Sequence, residues 1–339
     1  MSTEARGNLP DGHVVTSDVT IGWHYGELPA QWLKSRGVHL EVRSLRGPGS
    51  AVDEVISGDA PVLLDSLAAR LLPQLRAQRR DRRILISCDD DWWQPRDWAK
   101  ARWRPGSEAQ LVELAANLRA ADGLVVPSPA LAERMRHFGR PITVIPPALP
   151  RLEELPAPRP TRAGGGLRIG WAGTAWHWED LNFIGPAVVE FLARRPEVTF
   201  VLGGKCVPSW VRHPRIELHH GWVPLPRYYD VLASLNLDAF VCPLVRCPFN
   251  EAKPCLKPLE AAGLGLPVIA SRVGAYAEEL THEATAVLVG ESTEAWLTAL
   301  LRLVDDAALR AHLAARGRAW AATRTIDATG PRWADLWGG

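Results

Sequence analysis

The chain has 339 residues, 47% hydrophobic and 23% charged, with a formal net charge of +1. This length suits two α/β domains of roughly 150 residues each, and the near-neutral balance gives no argument for a nucleic-acid or membrane partner. The N-terminal stretch has no apolar signal segment, and no run approaches the roughly 18 apolar residues that span a bilayer. The five cysteines (Cys88, Cys206, Cys242, Cys247 and Cys255) are odd in number and lack CxxC spacing. They fit reduced thiols in a cytoplasmic protein better than a zinc site.

In chain order, residues 28–35 carry helical apolar spacing and residues 38–44 alternate as a strand. A short apolar run at 61–64 leads into a helix over 66–78. Residues 83–87, Arg-Ile-Leu-Ile-Ser, form a buried-type strand that stops at Asp89, Asp90 and Asp91. A helix over 108–119, a strand over 123–126, a helix over 130–138 and a strand over 142–145 follow. Residues 146–166 break the pattern with six prolines and close on Gly164, Gly165 and Gly166, the composition of an interdomain linker. The alternation then restarts, with strands at 167–171, 198–202, 237–242 and 267–270. Helices are expected at 181–194, 226–234, 257–263, 293–305 and 307–322.

Strands alternating with helices at this spacing predict parallel, doubly wound sheets, which bind ligands outside the carboxyl ends of their strands. The expected division is an N-terminal acceptor-side domain over 1–150, a linker over 151–166 and a donor domain over 167–322. A final helix within 323–339 is placed to return to the N-terminal domain.

Three ordered blocks carry a family resemblance. Residues 167–181 read LRIGWAGTAWHWEDL, residues 221–244 read GWVPLPRYYDVLASLNLDAFVCPL, and residues 248–271 read PFNEAKPCLKPLEAAGLGLPVIAS. This second half resembles the donor-binding half of retaining GT-B glycosyltransferases, the family-4-like glycosyl transferases group 1; the first half follows the family only loosely. The resemblance implies an α/β GT-B fold of two Rossmann-like domains facing a central cleft. It implies transfer of a sugar from a nucleotide-sugar donor to a hydroxyl, with retention and with neither metal nor other cofactor. It assigns Glu260 to the ribose hydroxyls and Lys257 or Lys253 to the diphosphate. Two positions depart from the family pattern. Ala252 stands where a glutamate eight residues before Glu260 is usual, and Glu251 is one residue off. Thr174 and His177 occupy a glycine loop that often holds an arginine.

The residues themselves fit that chemistry. Gly170, Gly173 and Thr174 lie where a strand turns into a helix, which lets backbone amides approach a phosphate, although many such turns are only turns. Lys253 and Lys257, four apart at a helix start, are expected on one face with Glu260 beside them. Cations there oppose the helix dipole, so an anion should compensate; a solvated charged face is the alternative. Lys205, after the second strand of this half, adds a further cation. The expected donor site is therefore Gly173, Thr174, Lys205, Lys253, Lys257 and Glu260.

In the first half, Asp89 and Asp90 are the candidate catalytic carboxylates, as a base or as stabilisers of a cationic sugar. A capped turn fits the same aspartates, and so does a metal pair, which the GT-B resemblance disfavours. His24, in Gly-Trp-His-Tyr-Gly at 22–26, is the third catalytic candidate, on an early glycine loop. Trp92, Trp93, Arg96, Trp98 and Arg102 interleave aromatic and cationic side chains with Lys100, Trp103 and Arg104. Such a segment suits stacking on sugars or bases with contacts to phosphate; an amphipathic cover for the sheet explains it equally. Arg76, Arg79, Arg80, Arg82 and Arg83 extend the basic run upstream. The acceptor is thus a saccharide, lipid-linked or small-molecule hydroxyl, or a hydroxylated base in nucleic acid, and an anionic acceptor is favoured. No serine, cysteine or threonine shows a hydrolase nucleophile context. A catalytically silent nucleotide-sugar-binding protein is the alternative, and the oligomeric state is left open.

Overall fold

The computed structural model describes residues 11–17, 22–45, 58–94, 107–158, 166–221 and 227–338. The chain divides into two compact units, unit 1 holding Met1–Trp93, Pro105–Ala148 and Ile326–Gly339, and unit 2 holding Gln94–Arg104 and Leu149–Thr325.

Unit 1 is built on six parallel strands: β1 (Gly12–Thr16), β2 (Leu40–Ser44), β3 (Val62–Asp65), β4 (Ile84–Ser87), β5 (Gly123–Val126) and β6 (Ile142–Val144). Their order is β2-β1-β3-β4-β5-β6. Strands β1, β3, β4 and β5 are buried along their whole length, as expected for a parallel sheet covered on both faces. The connecting helices are α1 (Leu28–Lys34), α2 (Leu72–Gln78), α3 (Glu108–Ala120) and α4 (Pro129–Met135). Ser107 and Gln110 close a capping box at the start of α3, and Ser128 caps α4 ahead of Pro129.

Three local expectations change. The first strand, Gly-His-Val-Val-Thr, escaped the sequence reading because it is short and holds a histidine; His13 is nonetheless buried, with Nδ1 3.4 Å from Glu41. The helix expected over 66–78 is a 3₁₀ turn, Ala68–Leu71, followed by α2, because Pro73 has no N–H to continue a preceding α-helical ladder. The glycine loop expected at 22–26 is a π-helical turn, Trp23–Glu27, with His24 buried in it. Packing imposes that turn. The Tyr25 hydroxyl donates to the Ile145 carbonyl (3.3 Å), and its ring meets Trp333 edge-on at 5.5 Å.

The order reversal between β1 and β3 is a switch point, and Asp65 ties it together. Its carboxylate accepts from the Thr16 hydroxyl (2.9 Å), from the Ser17 amide and hydroxyl, and from the Ala68 amide (2.6 Å).

Unit 2 carries β7 (Arg168–Gly173), β8 (Thr199–Gly204), β9 (Ile216–His220), β10 (Ala239–Cys242), β11 (Val268–Ser271) and β12 (Val287–Val289). All are parallel, in the order β12-β11-β10-β7-β8-β9. Read from β9, this is the dinucleotide-fold order with its reversal between β7 and β10. The helices are α5 (Trp178–Arg194), α6 (Tyr228–Ser234), α7 (Pro248–Glu251), α8 (Leu256–Gly263), α9 (Gly274–Glu279), α10 (Thr293–Asp305) and α11 (Ala307–Ala322). Right-handed crossovers that run in opposite directions from β7 put α5 and α8 on opposite faces; α5 packs with α10, and α8 with α11. Trp171, Phe191, Phe200, Phe240 and Trp296 fill the core between them. Within the expected linker, Leu155 is buried in this core, so residues 151–158 pack as part of unit 2, while residues 159–165 lie outside the described set.

After α11 the chain returns to unit 1 as α12 (Ile326–Gly338). Trp32 Nε1 donates to Asp327 (2.8 Å), Arg83 donates to the Leu336 carbonyl (2.7 Å), and Arg332 to the Val144 carbonyl (3.0 Å). Gly330 lies flat against the Trp32 indole, and a Cβ there would stand inside the ring's van der Waals surface. Gly330→Val should force α12 off α1 and destabilise unit 1 by about 1–3 kcal/mol. Urea titration followed by tryptophan fluorescence reads the shift; an unchanged midpoint would mean that α12 contributes little to holding unit 1.

Candidate active site

In a parallel α/β unit every strand end feeds a helix start on the same edge, so the carboxyl edge collects the N-termini of helices and the turns before them. In unit 2 that edge brings together the end of β7, the end of β8, the start of α6 and the start of α8.

Gly173 ends β7 where no side chain fits. A Cβ would stand 2.6 Å from the Trp171 ring and 3.4 Å from Lys257 Cε. The missing side chain leaves the passage through which Lys257 runs past β7. Gly204, at φ +101°, presses on the Gly173 carbonyl, which also accepts from the Lys205 amide (3.2 Å). Lys205 itself is exposed. Gly170, by contrast, lies inside β7 against β8 and not in the turn. Thr174 begins the turn, its carbonyl accepting from the His177 amide (3.3 Å).

Lys257, Glu260 and Tyr228 form a closed triangle. Lys257 Nζ donates to Glu260 Oε2 (2.8 Å) and to the Tyr228 hydroxyl (2.9 Å), and that hydroxyl donates to the same Oε2 (3.1 Å). The Glu260 side chain is 3% exposed and the Lys257 side chain 16%. Burial opposes the lysine charge, but the adjacent carboxylate and phenol outweigh it and raise the Lys257 pKa above its ordinary value. Burial, reinforced by Glu260, raises that of Tyr228, so at neutral pH the phenol keeps its proton. An ammonium has three N–H donors, and the triangle engages two of them. Glu260 Oε1 lies outside it. The sequence reading missed Tyr228, whose hydroxyl chemistry could have been paired with Lys257 only through the fold.

Lys253 does not share a face with Lys257. It lies in the turn between α7 and α8, with Nζ 4.6 Å from the centre of the Phe249 ring. Pro254 explains this, since the residue before a proline is driven out of the helical region. Ala252 is buried in the same turn, and Glu251 stands 3.7 Å from Arg246.

A second buried network lies under the β7 turn. Asp180, fully buried near the start of α5, accepts from the Val245 amide and from Asn250 Nδ2 (both 2.9 Å), and its other oxygen is 2.9 Å from His177 Nδ1. His177 rests edge-on against Trp171 at 5.5 Å. This network fixes the turn after β7 to the loop after β10. His177 was visible in the sequence as an unusual loop residue; Asp180 and Asn250 were not.

In unit 1, Asp89 and Asp90 follow β4 and are half-buried. Asp89 lies near the His24–Tyr25 turn: burial, then Asp89, then Cys88 raise the Tyr25 pKa. Asp91 is buried, 3.6 Å from Arg134, and burial raises its pKa against the pull of that arginine. Trp92 is half-buried, and Trp93 packs on Phe138 with ring centres 5.1 Å apart, which makes it part of the cover over unit 1. Arg96, Trp98, Lys100, Arg102, Trp103 and Arg104 lie outside the described residues.

The upstream basic run lies at the opposite edge of the unit 1 sheet from Asp89 and Asp90. It runs from the last turn of α2 to the start of β4, at the amino edge of the sheet, and four of its five arginines are committed to the backbone or to acidic neighbours. Arg76 pairs with Asp122 (2.6 Å), Arg79 with Asp59 (2.5 Å), and Arg82 donates to the Ala60 carbonyl (2.8 Å). Among the described residues, no group of three or more His, Cys, Asp or Glu stands where it could hold a metal ion, and no helix is long and apolar enough to cross a membrane.

Residues 166–306, all within unit 2, match the family model described as glycosyl transferases group 1. No curated protein sequence matches the chain. Similar solved structures include sucrose-phosphate synthase from Thermosynechococcus elongatus, at a TM-score of 0.72 and 17% identity over 96% of this chain and 98% of that one. HepE of Anabaena in complex with UDP and glucose aligns at 0.67 and 14%, over 98% of this chain and all of that one. The pneumococcal O-GlcNAc transferase GtfA in complex with UDP and GlcNAc aligns at 0.60 and 15%, over 86% of this chain and 60% of that one. At these identities the likeness establishes the fold of both units, and the family match adds the activity class. Residues 166–306 of unit 2 are thus similar to the glycosyl transferases group 1 family, and both units share the two-domain α/β fold of the GT-B type.

Proposed function

We propose that unit 2 binds a nucleoside-diphosphate sugar at its carboxyl edge and that the chain transfers the sugar, with retention, to a hydroxyl acceptor that is not nucleic acid. The triangle at Lys257 is the observation that carries the donor assignment. A buried ammonium with one N–H outside the triangle stands beside a glycine-lined strand end, where it meets a diphosphate oxygen. Glu260 accepts from the ribose hydroxyls through Oε1. The departing diphosphate is stabilised by Lys257 and by the backbone of the turn after Gly173, with Lys205 as a second cation. Since an ammonium meets the charge, no metal is required. HepE and GtfA were both solved with UDP, which makes UDP the first nucleotide to test. Retention rests on the resemblance of the donor blocks to retaining enzymes. Unit 1 takes the acceptor, and Asp89, at the carboxyl end of β4, is its candidate carboxylate.

The position of the upstream basic run supports an acceptor other than nucleic acid. Arg76, Arg79 and Arg82 are held at the amino edge of unit 1, which withdraws the upstream arginines from an acceptor surface, while Arg96, Lys100, Arg102 and Arg104 lie outside the described residues. Oligonucleotide binding should therefore be weak and lack the steep slope of roughly 0.9 per phosphate contact in log affinity against log salt. A slope of several units in a fluorescence-anisotropy titration with duplex DNA would reinstate a nucleic-acid acceptor.

Donor binding is tested by calorimetry with UDP, GDP, ADP and dTDP in EDTA. One of them should bind, and Glu260→Gln should weaken it about tenfold, the scale of one hydrogen bond to a charged group. Unchanged affinity in that variant ends the Glu260 assignment, and binding that appears only with added Mg²⁺ or Mn²⁺ moves the diphosphate elsewhere.

The sign of the Lys257 shift sets the pH window. A raised lysine pKa contributes stability that is complete below the unfolded value of about 10.4 and is lost as pH rises through the folded value. Lys257→Met should thus cost about 3–5 kcal/mol, because Glu260 stays buried without its cation. The deficit should be constant from pH 7 to 9 and narrow only in stronger alkali, as urea titrations across that range would show.

A further inference from the structure

We propose that Tyr228 is a positioning residue for the donor, coupling the cation that meets the diphosphate to the carboxylate that meets the ribose; this rests on the donor reading of the same edge. The sequence blocks single out the lysine and the glutamate but give no role to the tyrosine. Among the described residues its hydroxyl is the one group that bonds both, accepting from Lys257 Nζ at 2.9 Å and donating to Glu260 Oε2 at 3.1 Å. Its ring lies under the ammonium, with Nζ 4.9 Å from the ring centre.

The directions of these bonds matter. The phenol has a single proton, and the triangle commits it to Glu260. Lys257 commits two N–H groups, one to the phenol and one to the same carboxylate oxygen. Oε2 therefore accepts two bonds that fix the plane of the carboxylate, and Oε1 is presented in one orientation. The third N–H of Lys257 is likewise held in one direction. Lys257 and Glu260 are three residues apart on α8 and would pair without help. Tyr228 comes from the start of a different helix, α6, so its hydroxyl adds the out-of-helix tie that stops the pair rotating as a unit. Tyr229, stacked edge-on against Tyr228 at 5.6 Å and buried, anchors that start.

A tyrosine acting only in packing and one acting through Glu260 and Lys257 differ in a measurable way. Tyr228→Phe keeps the ring, the stacking and the contact with the ammonium and deletes only the hydroxyl. Positioning predicts that binding weakens and that discrimination by ribose hydroxyls and by the β-phosphate is blunted together. Packing predicts equal losses for all ligands.

The test is calorimetry of wild type and Tyr228→Phe with UDP, GDP and ADP, followed, for the nucleotide that binds, by its 2′-deoxy diphosphate and its monophosphate. Melting curves on both proteins confirm folding. The expected result is about tenfold weaker binding of the diphosphate, with the diphosphate-to-deoxy and diphosphate-to-monophosphate affinity ratios each reduced at least threefold. Affinity within twofold of wild type overturns the proposal, as does a loss that leaves both ratios intact. If the wild type takes none of the nucleoside diphosphates, the donor reading fails first and the proposal falls with it. A wild type that binds beside an unaffected variant sinks only the role of Tyr228.

Discussion

An ammonium and a carboxylate share a water-poor edge in unit 2, and much of the local architecture follows from keeping both charged. Removing either ion from water carries a penalty of several kcal/mol unless the partner and further hydrogen bonds replace the lost hydration. Lys257 and Glu260 meet this condition with each other and with Tyr228, which is why the lysine is held charged despite burial. The arrangement constrains residues that have no charge. Gly173 must lack a side chain for the lysine stem to pass Trp171, and Gly204 must adopt φ +101° for β8 to end against the Gly173 carbonyl. Polar chemistry here dictates where the glycines fall.

Both units use a buried aspartate to fix loops at the carboxyl edge. In unit 1, Asp65 binds the end of β1 to the turn after β3 through Thr16, Ser17 and Ala68. In unit 2, Asp180 binds the turn after β7 to the loop after β10 through Val245, Asn250 and His177. A carboxylate accepts several bonds at once, and backbone amides in tight turns have few other partners. One buried aspartate can therefore immobilise two loops. Such immobilisation holds backbone donors in one arrangement, as the proposed diphosphate site requires.

Local chemistry was legible in the sequence; long-range pairing was not. The strand–helix alternation of unit 2 announced itself because its strands are apolar runs separated by stretches of helical spacing; the caps at Ser292 and Asp306 emerge with the structure. Glu260 and Lys257 stood out because three residues on a helix bring side chains together. Tyr228 lies 29 residues from Lys257, and Asn250 lies 70 from Asp180; no periodicity reports such partners. The β1 strand was missed for a different reason. A histidine in a five-residue segment reads as polar, yet His13 is buried beside Glu41. Lys253 was misplaced because a spacing of four implies one face only if the helix is continuous, and Pro254 interrupts it.

The basic residues upstream of β4 show how the fold direction decides what a charge can do. In a parallel α/β unit, residues between a helix end and the next strand lie at the amino edge, and residues between a strand end and the next helix lie at the carboxyl edge. Arg79, Arg80, Arg82 and Arg83 belong to the first class, since α2 ends at Gln78 and β4 begins at Ile84, and Arg76 joins them from the last turn of α2. Their partners follow from that position: Asp59 and Ala60 just before β3, Asp122 just before β5, and the end of α12. They bind neighbouring strand starts to one another, a task that needs cations because strand starts leave carbonyls and acidic turn residues unpaired. Lys205 belongs to the second class, following β8, and Lys257 stands at the start of α8. Four clustered arginines thus bind the amino edge of one sheet, while two separated lysines stand at the carboxyl edge of the other, where the proposed donor would bind.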